Sequence, residues 1–164
     1  MLAGAILFAA WYVFSPRVAI SQLGDRNAAP EDLLALYDRE NVRSAFEQQM
    51  VPGVERYAPP ITKRVLLDAM SDPRAVRAFI SEPYGDWQFA AFEGLPDELR
   101  IEEPEGAMPR VMEVTESWEF TRTNFDEVIA SPADREDQEG NAYRFERNGL
   151  NWRLVAIKLP RPIG

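Results

Sequence analysis

The sequence predicts an α+β protein: an N-terminal membrane helix, then several short helices packed on a C-terminal antiparallel β-meander. Three observations carry this expectation. Leu2 to Phe14 hold no charged and no strongly polar side chain. Between Pro30 and Pro83, apolar residues recur at helical spacing, with Asp, Thr and Pro where helices would start. From Val111 the period changes to two, and Asn148-Gly149 separates two β-rich runs.

The apolar run is interrupted by Ser15, Pro16 and Arg17 and resumes at Val18. Thirteen clean residues are short of the roughly 20 that cross a hydrocarbon core, but the count from Met1 to Ile20 reaches that length. Arg17 then lies near the end, where it can snorkel to the interface. Trp11 and Tyr12 read as interfacial aromatics. A cleaved signal peptide would need a positive leading region and a small-x-small site, and neither stands here. A buried helix of a soluble protein would need a partner surface more apolar than the rest of the chain supplies. An uncleaved single-pass anchor over residues 1–22 is the favoured reading, with one soluble domain over 23–164. Arg17 and Arg26 taken literally place that domain in the cytoplasm. With a positive flank expected upstream, the domain faces the periplasm from the inner membrane.

Pro30 suits a first helical position, and Glu31-Asp32 complement the positive helix end. Leu33, Leu34, Leu36 and Tyr37 follow as an apolar stripe. A second helix starts at Asp38, with Val42, Ala45, Phe46 and Met50 on one face, and Pro52-Gly53 ends it. Thr62 to Met70 predicts a third. Asp72-Pro73 starts a fourth, with Val76, Phe79 and Ile80 inward and Pro83 as its stop. Residues 84–106, rich in Gly, Pro and acids, read as a connector folded over the core.

In the strand region Met112, Val114, Trp118 and Phe120 share one face. Phe125 to Ala130 is a second strand, and Ser131 to Asn141 a polar loop. Asn148-Gly149 predicts a two-residue turn that pairs Phe145 with Trp152 and Tyr143 with Leu154. The hairpin then has one mostly apolar and one polar face.

At 164 residues the chain suits a single domain. It has no Cys, hence no disulfide, thiol nucleophile or thiolate metal site. It has no His, which removes the commonest general base and the usual zinc ligand. A net charge of −9 argues against nucleic acid as a partner. There is no phosphate-binding Gly motif, and no cofactor or metal is expected.

Two sets of residues are candidates for a site. Asp38, Arg39, Glu40 and Arg43 read as a helix cap with local charge pairs, or as a polar patch at a pocket mouth carried by Asp38 and Arg43. The aromatic residues, among them Trp118, Phe145 and Trp152 with Tyr143 beside them, fill a core or line an apolar pocket. The loop from Asp134 to Gly140 holds four acids but lacks the spacing of a Ca²⁺ loop.

The last stretch, Arg144-Phe-Glu-Arg-Asn-Gly-Leu-Asn-Trp-Arg-Leu-Val-Ala-Ile-Lys-Leu-Pro160, resembles the closing motif of the DUF2939 family, Arg-x-Gly-Leu-x-Trp-[Lys/Arg]-Leu-x-x-Ile-x-Leu-Pro. The start is similar too: Trp11-Tyr12, Ser15-Pro16, Ala19 to Leu23, then Asp38, Val42, Arg43 and Phe46. The chain departs from that pattern between Gly24 and Pro30 and at Tyr37-Asp38-Arg39. The resemblance implies a membrane-anchored bacterial domain and no known activity. Helices followed by a curved meander also look like NTF2-like and cystatin-like cone folds, which often hold a pocket between helix and sheet. The expected function is a non-catalytic binding or envelope-accessory module, with the membrane and an envelope protein as partners. The alternative is a pocket protein that binds or converts a small apolar ligand.

Overall fold

The computed structural model describes residues 2–25, 27–51, 62–96, 99, 118–133 and 139–163, with the backbone alone for 2–9 and 87. Among these residues it is α+β, with six helices followed by four strands. The expected stop at Pro52-Gly53, the strand residues 111–117 and the acids Asp134, Glu136 and Asp137 lie outside the described residues.

The first helix, α1 (Leu2–Leu23), runs through Pro16. Four shorter helices start at side-chain caps or at proline. They are α2 (Pro30–Leu33), α3 (Arg39–Gln49), α4 (Lys63–Met70) and α5 (Pro73–Ser81). Asp38 Oδ1 accepts from the Asn41 amide, Thr62 Oγ1 from Val65 and Asp72 Oδ1 from Arg74. The apolar stripe after Pro30 does not continue as helix. Beyond Leu33 residues 34–36 form a turn, and at Tyr37 the chain becomes extended, because the Leu154 amide donates to Leu36 O and Asp38 N–H donates to Leu154 O. Leu34, expected in the stripe, is exposed, whereas Leu33 and Tyr37 are buried.

The expected connector contains a sixth helix, α6 (Trp87–Gly94), capped by Asp86 Oδ1 on the Gln88 amide. Its Ala90 and Ala91 belong to the core. Between its capping Asp and terminal Gly stand residues that tolerate a helix well, and the Gly and Pro around them mark its ends rather than a loop.

The sheet is an antiparallel meander, β1 (Trp118–Asn124), β2 (Glu127–Pro132), β3 (Ala142–Asn148) and β4 (Asn151–Lys158), in that spatial order. Phe125, expected in the second strand, lies in the β1–β2 turn. The last hairpin turns at Gly149-Leu150, so Asn148 faces Asn151 and Phe145 faces Leu154. Gly149 has φ 63° and takes the first central position of the turn, where type II′ turns need a positive φ. From the turn to Phe145 the register differs from the expected one by two residues; beyond it a bulge adds a third, so Tyr143 faces Ile157 and not Leu154. An even shift keeps each side chain on its face, so the apolar side survives. Val155 is bulged between Leu154 and Ala156 and is buried.

The inward face carries Val128, Ala130, Tyr143, Phe145, Leu154 and Ile157, all buried. The helical side of the core includes Val42, Phe46, Met70, Phe79 and Ile80. The outer edge of β4 is covered. Gln49 Nε2 donates to Ile157 O while its Oε1 accepts from Leu159 N–H, and residues 36–38 bridge at Leu154. The ladder groups that Leu154 and Ile157 turn to that edge are thus occupied.

The boundary expected at residue 22 does not divide the structure. Ala19, Ile20 and Leu23 are buried in the domain core, and Ser15 and Arg17 touch the sheet. From Trp11 onward one side of α1 packs on the domain, while Val13, Phe14 and Val18 are more than half exposed. Among the described residues, no helix is long and apolar enough to cross a membrane.

Candidate functional site

The residues expected to form a site separate. Asp38 caps α3, and its Oδ2 lies 3.8 Å from Arg153 on β4. Arg43 turns the other way, its Nε 3.0 Å from Asp68 of α4. Each carboxylate ties α3 to a neighbour, and the two do not face a common opening.

Tyr143 and Phe145 are wholly buried. The Tyr143 hydroxyl donates to Phe79 O, and Trp118 meets the Tyr143 ring edge-on at 5.4 Å. Burial pushes the Tyr143 phenol well above its ordinary value. Tyr37, buried and donating to Ser71 O at 2.8 Å, is raised for the same reason, with Arg39 opposing. Glu47, on the surface of α3, moves down through its hydrogen bond to Lys63 and that residue's charge.

Trp152 is the predicted residue that lies where several elements converge. Its Nε1–H donates to Ser15 Oγ of α1 at 2.7 Å. Around it stand two arginines from inward-pointing strand positions, Arg122 on β1 and Arg147 on β3. The Arg122 guanidinium carbon lies 3.8 Å from the Tyr12 ring centroid and 5.3 Å from that of Trp152. Arg147 lies 4.2 Å from Phe125, 4.9 Å from Tyr12, 5.1 Å from Trp152 and 5.3 Å from Trp11. Tyr12 and Phe125 stack at 5.0 Å with an interplanar angle of 18°.

The reason for Arg122 is written in α1. Pro16 has no N–H, so the carbonyl four residues earlier, that of Tyr12, loses its helical donor. Arg122 Nη2 donates to that carbonyl. Proline in mid-helix thus creates a docking point, and an arginine from the sheet occupies it.

The charge of the cluster is held mostly by rings. The Arg147 side chain is 10% exposed, and among the described residues its carboxylate neighbour is Asp126, 3.6 Å from Nε. Arg122 Nη1 and Arg147 Nη2 are buried without a hydrogen-bond partner among the described residues. Ring faces attract such cations, by about 2 kcal/mol or more per contact when desolvated. The chemistry available here is attachment: Ser15 Oγ is engaged by an indole N–H, and the guanidiniums by aromatic faces.

Two grooves open among the described residues, the second beside this arrangement. One, of about 500 Å³, lies on the other face of the sheet and is lined by Asn41, Ser44, Gln48, Arg144 and Lys158. A second, also about 500 Å³, runs between α1 and β4, lined by Trp11, Phe14, Val18, Leu36, Leu150 and Trp152. Neither includes Asp38, Arg43, Trp118, Tyr143 or Phe145.

Sequence reasoning did not assemble the arginine–aromatic cluster. Its signals were an orphaned carbonyl before Pro16 and two arginines in phase with apolar strand residues: Arg122 with Trp118 and Phe120, Arg147 with Tyr143 and Phe145. No family model, curated protein or solved structure matches this chain. These comparisons lend no support to the expected resemblance to the DUF2939 family, which is carried by the residues quoted above. Of these, Trp11, Tyr12, Ser15, Arg147 and Trp152 meet in the cluster just described.

Proposed function

We propose that the protein is a membrane-anchored domain whose folded part works outside the cytoplasm as a non-catalytic binding module of the cell envelope. One observation carries this reading: an apolar, uncharged segment, Leu2–Ala10, continues as unbroken helix from a part of α1 built into the domain core. An anchor joined in this way sets the orientation of the domain as well as its location. Leu2–Ala10 by itself covers about 14 Å of a hydrocarbon core about 30 Å thick, so insertion is the part this segment accounts for. Binding is favoured over catalysis because the chain has no His or Cys and the Tyr143 hydroxyl is spent on a backbone carbonyl. The order of helices then meander keeps a cone fold, NTF2-like or cystatin-like, within this proposal. Its small-ligand version would use the groove along α1 rather than Asp38 or Tyr143.

The test has two parts. Alkaline phosphatase fused after Gly164 is expected to be active, on a product that resists carbonate extraction. An inactive fusion whose cytoplasm-active counterpart works would put the domain on the other side, and extraction by carbonate would remove the anchor. Crosslinking before detergent solubilisation is expected to capture a discrete envelope protein. Turnover of a small substrate by the purified chain, with no partner captured, would overturn the binding reading.

A further inference from the structure

We infer that the end of the sheet carrying the β1–β2 and β3–β4 turns rests on the surface of a phospholipid bilayer, with Phe125 and Leu150 inserted among the headgroups. This rests on the anchored reading above and adds to it where the domain meets the lipid.

The two turns place large apolar side chains where turn chemistry does not require them. Leu150 is 70% exposed and Phe125 is 55% exposed. The backbone needs of these turns are met by their neighbours, Asn124 and Asp126 around Phe125, and Asn148, Gly149 and Asn151 around Leu150. Phe14 of α1, 58% exposed, lines the same groove as Leu150. Exposed apolar groups gathered at one end of a molecule mark a contact surface.

Three features select a bilayer as the occupant. First, α1 leaves the domain at this end. Tyr12 stacks on Phe125, and the next residues outward are the apolar Leu2–Ala10. At about 1.5 Å per residue, a bilayer that receives this segment begins within a turn or two of Phe125. Second, each of the two acids of the β1–β2 turn stands near an arginine, Asp126 3.6 Å from Arg147 and Glu127 4.0 Å from Arg144, and the β3–β4 turn, Asn148 to Asn151, carries none. Third, the rings beside the turns, Trp11 and Tyr12, have the mixed apolar and polar character that suits the headgroup zone.

The chain contains no Cys, so single cysteines can carry an environment-sensitive fluorophore. Leu150→Cys reports the turn. Ser44→Cys, which shares a groove with Ala142 and Lys158 at the far end of the last hairpin, is the comparison. The full chain is reconstituted into vesicles of phosphatidylcholine and phosphatidylglycerol and washed with carbonate. The expected result is a blue-shifted emission at position 150 that nitroxide-bearing lipids quench, with neither effect at position 44. A label at 150 that stays in water on carbonate-resistant protein overturns this inference and leaves the anchor standing. Protein stripped by carbonate overturns both. A blue shift that grows with protein density but is not quenched by lipid nitroxides assigns the surface to a protein partner and overturns the lipid seat.

Discussion

Gly94 of α6 packs directly against the backbone at the end of α4. A Cβ at this position would lie 1.9 Å from the carbonyl oxygen of Ala69 and 2.7 Å from its carbon, both backbone atoms that cannot swing aside. Gly94→Ala must therefore push α6 off α4. The expected cost is near the upper end of overpacking, about 3 kcal/mol, read as a lower urea midpoint. A midpoint unchanged from the parent would refute this close packing. Tyr37 and Tyr143 make a second argument at this scale. Both are buried and both phenols sit well above their ordinary value, so the folded state keeps the proton that the unfolded chain loses near pH 10. The stabilisation is complete below that pH. It falls above it by about 1.4 kcal/mol per pH unit for each tyrosine. Urea unfolding between pH 9 and 11 should show a shallower decline for Tyr37→Phe than for the parent, and equal slopes would contradict the assignment.

At the scale of elements, three helices were legible because their caps are local: Asp38, Thr62 and Asp72 each satisfy an amide two or three residues on. The sixth helix was masked by the Gly and Pro that bound it. The hairpin was legible in its faces but not its register, since Asn148-Gly149 and Gly149-Leu150 are both acceptable two-residue turns. The chain chose the one that gives Gly149 the positive φ at the leading position. The attachment of α1 was the least legible, because it joins residues more than a hundred positions apart. Its logic is testable through Pro16 and Arg122. Arg122→Met should cost about 2 kcal/mol beside Pro16, since the Tyr12 carbonyl loses its donor. Beside Pro16→Ala the cost should drop by about 1 kcal/mol, because the new amide can take that carbonyl. A double-mutant cycle with no coupling would separate the proline from the arginine.

At the scale of the molecule, the sequence divides more sharply than the structure does. Read from hydropathy, the first 22 residues are an anchor and the rest a domain of side-chain charge −10, once Arg17 is taken out of the total of −9. In the structure, one side of the latter half of that segment is buried in the domain, at Ala19 and Ile20, and Leu23 just beyond it is as buried as Phe46 or Leu154. Hydropathy cannot distinguish a helix wet by lipid from one covered by protein, since both are apolar. The arginine–aromatic cluster attaches α1 to the sheet from Trp11 onward. The most direct test is site-resolved hydrogen exchange on the full chain in detergent micelles, followed as denaturant is added. Amides of residues 18–23 are expected to lose protection in the same cooperative step as β3 and β4. Amides in this stretch that stay protected after the sheet has opened, or exchange freely while it is closed, would show an independent membrane helix and contradict the account.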